Sequence, residues 1–231
     1  DRQGIHEIRH IEGLYEMWDE LQRRFPDIIF DNCASGGRRL DLETMSRCIA
    51  LTRSDYAYYE PNGAQSHTYA INHYLPTTGT FTGDPTPYKI RSSMTNGIML
   101  DWDPFTPDFN VEKAKLVLDE FRQVRDLFFA DFYPLTPYSL PDTSWCIYQF
   151  HDPVVERGMV LAFRRHQAPQ PVVSVELKAL DPTSMYQVEV SNENLEKSNL
   201  KMIGSELLRP FNFSIPTKPG SILLTYWVDS R

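Results

Sequence analysis

The residues best suited to chemistry lie in one run, Asp31-Asn32-Cys33-Ala34-Ser35-Gly36-Gly37-Arg38-Arg39-Leu40-Asp41. It gathers a thiol, a hydroxyl, two glycines, two arginines and carboxylates, and the glycines would let another group approach the backbone. The same residues also suit a tight strand-to-helix turn with a charged rim, in which Asp41 N-caps the helix that follows. Further along, Asp55 sits in Arg53-Ser54-Asp55-Tyr56 at the end of an apolar run. It is placed like a general acid, or equally like a strand-end cap paired to Arg53. Asp101-Trp102-Asp103 offers an acid and an aromatic at another strand end, which suits a sugar face and also a plain turn. His67, His73 and Tyr74 read as local packing or hydrogen-bonding groups.

Two other motifs carry less. His6-Glu7-Ile8-Arg9-His10 matches H-E-x-x-H, the helical pattern in which two histidines bind zinc and the glutamate acts as base. The longer form of that pattern places a third histidine where this chain has Glu16, and no strand precedes the helix to form a substrate edge. A zinc metalloprotease is therefore the weakest alternative, and no metal site is assigned. Ser35 is not in a nucleophile elbow, because the residue two before it is Cys33 and not glycine. Cys33 as a nucleophile would need a partnered histidine that the sequence does not identify.

The elements that position these residues follow from periodicity. Residues 5–24 carry Ile11, Leu14, Tyr15, Trp18 and Leu21 at helical spacing, and Pro26 ends that helix. Residues 28–30 read as a short buried strand, 49–52 as a second, 77–81 as a third and 98–100 as a fourth. Between them lie a short helix at 41–48, a loop at 60–65 and a helix at 66–75. Residues 111–129 form the longest later helix, and Pro134, Pro137 and Pro141 mark a boundary. Beyond it, 144–150, 159–164, 172–177, 186–190, 211–215 and 222–228 are strand-like runs without helices between them. The expectation is α/β plus all-β: the C-terminal half of a (β/α)8 TIM barrel over residues 1–140, then an antiparallel β-sandwich over 141–231. Half a barrel would leave strand edges unpaired, so the chain reads as the back half of a longer protein. Cys33, Asp55 and Asp101 all fall at C-terminal strand ends, where such barrels do their chemistry.

Composition narrows the partners. The 231 residues carry a net charge of -8, which leaves no basic stripe for nucleic acid. No run approaches 18 apolar residues, so no membrane span is expected. The aromatic share of 13% suits clefts for ring-shaped ligands as well as cores. Cys33, Cys48 and Cys146 are odd in number and widely spaced, which favours free thiols and slightly favours a cytoplasmic setting. A homo-oligomer is compatible with the sequence and is not specified by it.

The run from Asn32 to Asp41, followed by Arg53-Ser54-Asp55, resembles the melibiase-type α-galactosidases of glycoside hydrolase family 36. Gln65-Ser66-His67-Thr68-Tyr69, Arg91-Ser92-Ser93-Met94, Trp145, Gly158 and Phe163-Arg164-Arg165 extend the likeness over nearly the whole chain. The resemblance implies a retaining glycosidase that removes terminal α-linked galactose from oligosaccharides with no cofactor. In it Asp55 is the acid/base, and Cys33 and the backbone at Gly36 line the sugar near its 2-hydroxyl. It also places the nucleophilic aspartate on an earlier strand, upstream of residue 1, so this stretch alone is expected to be inactive. Thr52 departs from the family, which leads one to expect an aromatic there. An inactive sugar-binding or scaffold protein on the same fold is the second reading. Linkage, aglycone and tolerance of an N-acetyl group stay open.

Overall fold

The computed structural model describes residues 2–33, 36–58, 61–75 and 78–228, without the side chains of Ala57 and Tyr58. Its first part runs α1 (Ile5–Arg24), α2 (Leu42–Met45), a 3-10 turn (Asp55–Tyr58), α3 (Pro61–Ile71), β1 (Gly79–Thr82), α4 (Pro87–Ser93), β2 (Gly97–Leu100), α5 (Val111–Val124) and a second 3-10 turn (Arg125–Phe129). Asp41 caps α2, its two carboxylate oxygens accepting from the Thr44 N–H and Thr44 hydroxyl at 2.8 Å each. α3 begins earlier than its sequence suggests. Pro61 is tolerated at a first helical position, and Gly63, which reads as a loop residue, lies inside the helix, where the Tyr56 ring occupies the space a side chain would take.

Parallel pairing organises this part. Asp31 bridges Ile49, Ala50 bridges Thr78, and β1 pairs with β2 in register from Gly79–Gly97 to Thr82–Leu100. All four extended segments therefore run the same way and release their C-terminal ends at one edge. The expected buried strand at 28–30 is not one: Ile29 is 77% exposed, and only the bridge at Asp31 joins this run to its neighbour. Ile28 and Ile29 stay exposed, and of this run's side chains Phe30 is half-buried, against Trp18. α1 likewise buries no residue, although Tyr15, Trp18 and Gln22 reach Thr44, Phe30 and the Arg47 carbonyl.

The second part is a six-stranded antiparallel sheet in the order β3 (Asp131–Pro134), β4 (Trp145–Asp152), β5 (Arg157–Arg164), β10 (Gly220–Val228), β7 (Met185–Ser191) and β8 (Lys197–Ile203). β6 (Val172–Val175) and β9 (Phe211–Ser214) form a separate antiparallel ribbon, and α6 (Gly204–Leu207) follows β8. Side chains alternate across the sheet. Trp145, Ile147, Val160, Ala162, Ile222 and Leu224 pack towards Val175 and Phe213 of the ribbon. Cys146, Tyr148, Phe150, Met159, Leu161, Phe163 and Leu223 face the other way, onto Tyr88 and Ile90 of α4 and Val117, Phe121 and Val124 of α5. Burial on both faces explains why β4 and β5 read as continuous apolar runs rather than alternating ones. The expected sandwich is thus a sheet with a β ribbon on one face and helices on the other. Its two outermost strands, β3 and β8, do not stand out in the sequence.

Buried arginines join the two parts. Arg91 of α4 meets Glu120 of α5 through two hydrogen bonds of 2.8 Å, and also donates to the Ser191 hydroxyl and to the carbonyls of Asn192 and Ser221. Arg165, just past β5, donates to Gln65 Oε1 and Ser66 Oγ of α3 at 3.0 Å each. Replacing Arg91 with methionine strands the Glu120 carboxylate in the core, so R91M should cost about 3–5 kcal/mol. Chemical denaturation should show a smaller loss for R91M combined with E120L than the sum of the two single changes.

Candidate active site

At the edge where the parallel segments end, backbone contacts join the cysteine run to Asp55. Gly36 and Gly37 have φ of 75° and 87°, the left-handed region that favours glycine. A Cβ added at Gly36 would stand 3.2 Å from the Asp55 nitrogen and 3.3 Å from Asp55 Oδ2. One added at Gly37 would lie 2.1 Å from the Arg53 carbonyl oxygen, so no side chain fits there. The Asn32 amide donates to the Arg39 carbonyl at 2.6 Å and its backbone N–H to the Ile49 carbonyl at 2.7 Å, closing the loop against the segment that leads to Asp55. Asp31 Oδ1 accepts from the Leu51 N–H. Cys33 is a free, exposed thiol beside this loop. Asp55 is exposed and opens the first 3-10 turn. Ala34 and Ser35 lie outside the described residues.

Arg53 has a part the sequence does not reveal. It was a possible partner for Asp55, yet its fully buried guanidinium turns towards α3, donating to the Ala64 carbonyl at 2.8 Å, Thr68 Oγ1 at 2.6 Å and Thr78 Oγ1 at 3.4 Å. No ion pair joins Arg53 to Asp55 among the described residues. Burial lowers the arginine to about 10. Its backbone N–H donates to the Gly79 carbonyl at 3.0 Å, tying the Asp55 segment to β1. Arg53 is thus an anchor two residues before the acid. Only an arginine set between Thr52 and Ser54 in an otherwise apolar-to-polar strand end hints at it. Thr52 itself is buried, with its hydroxyl 3.8 Å from Met99 Sδ.

Other expected groups prove structural. Gln65 and Ser66 hold Arg165, and Gln65 also donates to Ser92 Oγ at 2.9 Å. The Tyr69 hydroxyl donates to the Thr136 carbonyl, and a Cβ on Gly158 would lie 2.2 Å from the Tyr226 hydroxyl oxygen. A small cavity of about 180 Å³ beside the site is lined by Tyr56, Asn62, Gly63, Ser66, His67 and Tyr138. His73 packs edge-on against Phe132, and Tyr74 is exposed. On α1, His6, Glu7 and His10 are exposed, and no group of three or more His, Cys, Asp or Glu among the described residues is arranged to hold a metal.

Gly37→Ala should destabilise the chain by more than about 1 kcal/mol, whereas Gly13→Ala should stabilise it by about 0.5–1 kcal/mol. Gly13 lies inside α1 with nothing within 4 Å of its added methyl, so denaturation midpoints that move the same way would refute the contrast. His67 is held down to about 4 by burial and then by Arg53, against 6.5 when unperturbed. The unfolded chain therefore binds a proton that the folded chain resists, so this contribution to stability is intact above pH 6.5 and falls as pH drops towards 4. His67→Gln should flatten the denaturation midpoint across that window.

The sequence and fold also have known counterparts. Residues 1–57 match the family model described as melibiase. α-Galactosidase AgaA of Geobacillus stearothermophilus is 25% identical over 98% of this chain and 31% of its own length. A probable α-galactosidase C of Aspergillus terreus is 22% identical over 94% of this chain and 31% of its own. The crystal structure of a doubly substituted AgaA in complex with stachyose superposes with a TM-score of 0.76 at 22% identity, over 94% of this chain and 31% of that one. The chain spans less than a third of each of these proteins. It resembles the C-terminal portion of family 36 α-galactosidases in sequence and shares the fold of that portion.

Proposed function

We propose that this chain supplies the acid/base side of a retaining α-galactosidase, with Asp55 as the catalytic carboxyl group and Cys33 and Gly36 lining the galactose. The observation that carries this reading is the close approach of the Gly36 segment to Asp55 at one parallel-strand edge, where only a residue without a Cβ leaves the Asp55 backbone and carboxylate undisturbed. A sugar ring can lie against such a backbone because no side chain intervenes, and the carboxyl stands beside it.

In the same reading residues 1–140 form half of a (β/α)8 barrel and residues 141–231 a β domain packed on its helices. The parallel order of the four extended segments supports this, as do the exposed apolar residues Ile8, Ile11 and Met17 of α1 and Ile29 of the run before Asp31. Sheet strand β3 precedes that division, so the β domain draws one edge strand from the end of the barrel half.

The chemistry needs a second carboxylate about 5–5.5 Å from Asp55. It attacks the anomeric carbon while Asp55 gives its proton to the leaving oxygen. The covalent glycosyl-enzyme is then opened by water, which Asp55 deprotonates. The family resemblance assigns that nucleophile to an earlier strand. The substrates proposed are α-galactoside oligosaccharides.

The test is a leaving-group series in the intact enzyme. Asp55→Ala should lower kcat/KM for oligosaccharide substrates by about 10²–10⁴, and by much less for aryl galactosides whose leaving groups need little protonation. An equal loss across the series would remove Asp55 from the acid role. The 231-residue chain by itself should release no galactose from an aryl α-galactoside, and measurable turnover would overturn the assignment of the nucleophile elsewhere. Turnover by the intact protein separates this reading from a sugar-binding scaffold, which would be inert.

A further inference from the structure

A larger cleft, about 580 Å³, opens at the same strand edge between the loop after β1 and the loop from β2 to α5. Its size falls within the range of about 300–1,000 Å³ usual for small-ligand sites. One wall is Gly83–Thr86, and the other runs from Asp101 to Lys113. The Asp101 N–H donates to the Thr82 carbonyl at 3.1 Å, which fixes the second wall directly to the end of β1. Trp102 and Phe109 meet there at 5.9 Å between ring centroids and 52° between planes.

The carboxylates around the cleft divide by role. Asp84 accepts from the Thr86 N–H and hydroxyl and pairs with Lys89, and Asp103 accepts from the Phe105 N–H. Both are committed to holding the walls. Asp101 and Asp108 are exposed, and neither carboxylate has a hydrogen-bond or ion-pair partner among the described residues. The acids do not converge, since no metal-holding group of three exists among the described residues. Four aspartates against Lys113 make the lining repel phosphate, sulfate or uronic acid groups. Separated acceptors beside aromatic rings match a neutral polyol: hydroxyls donate to the carboxylates and C–H faces lie on the rings.

We propose that this cleft is a second carbohydrate subsite, which takes a neutral hexose unit of an oligosaccharide away from the bond that is cut. The proposal rests on the glycosidase reading for its substrate class, and its test separates the two. Asp101→Asn combined with Asp108→Asn keeps the side-chain shape, and an unchanged melting temperature confirms the fold. Saturation-transfer NMR with stachyose and with galactose reads binding without turnover. The double variant should bind stachyose about tenfold more weakly, with galactose binding unchanged. In the intact enzyme its kcat/KM for stachyose should fall by a similar factor while that for an aryl galactoside holds. Equal stachyose binding by variant and wild type, or a parallel fall for both substrates, would overturn the subsite. If stachyose binding is lost in the double variant yet Asp55→Ala leaves turnover intact, the subsite stands and the acid role falls.

Discussion

The fold depends on the buried pair between Arg91 and Glu120. The Arg91 guanidinium has no exposure and is matched both in charge, by Glu120, and in hydrogen bonds, which offsets the high cost of burying a charge. Arg91 draws on four elements at once: α4 that bears it, α5 through Glu120, β7 through Ser191 with the following Asn192, and β10 through Ser221. Glu193 closes the group from the other side, accepting from the Tyr88 N–H at the start of α4 and from the N–H and hydroxyl of Ser221. Such directional bonds set the angle and height of the helices on the sheet more narrowly than apolar packing alone does.

This matters for the site because the parallel segments are short and poorly shielded by themselves. β1 and β2 share a ladder of four residue pairs, and the segments before them are linked by single bridges and a few further hydrogen bonds. Their positions are held from behind: Arg165 grips α3, Arg53 is seated between α3 and Thr78, and Ser93 of α4 donates to the Phe81 carbonyl of β1. Of these contacts, Arg165 ties the antiparallel sheet to α3, behind the strand ends.

Much of this was readable in the sequence. The long amphipathic helices, the strand ends and the run from Cys33 to Asp41 are local patterns, and local patterns survive in the fold. Asp41 caps its helix as its spacing indicates. What escaped has common physical causes. The sheet's two edge strands lack the apolar signature because one face or edge meets solvent: β3 ends in a proline and β8 is largely polar and exposed. The run at 28–30 misled in the opposite way, since Ile28 and Ile29 imply a cover that the described residues do not provide. Arg53 looked like a surface partner for Asp55 because sequence adjacency says nothing about which way a side chain turns. The roles of Gln65 and Ser92 depend on partners far away in the chain, which no local pattern encodes.

The two glycines beside the acid have a consequence for inheritance and engineering. A side chain at position 37 would collide with the Arg53 carbonyl, and one at position 36 would press on Asp55. The loop and the acid therefore form one unit of exchange. A chimera that takes residues 31–41 from one relative and 53–55 from another joins two surfaces that never met. Crossovers placed in the exposed turn after α3, where Asn72 to Tyr74 leave the helix, would instead carry the whole unit across intact.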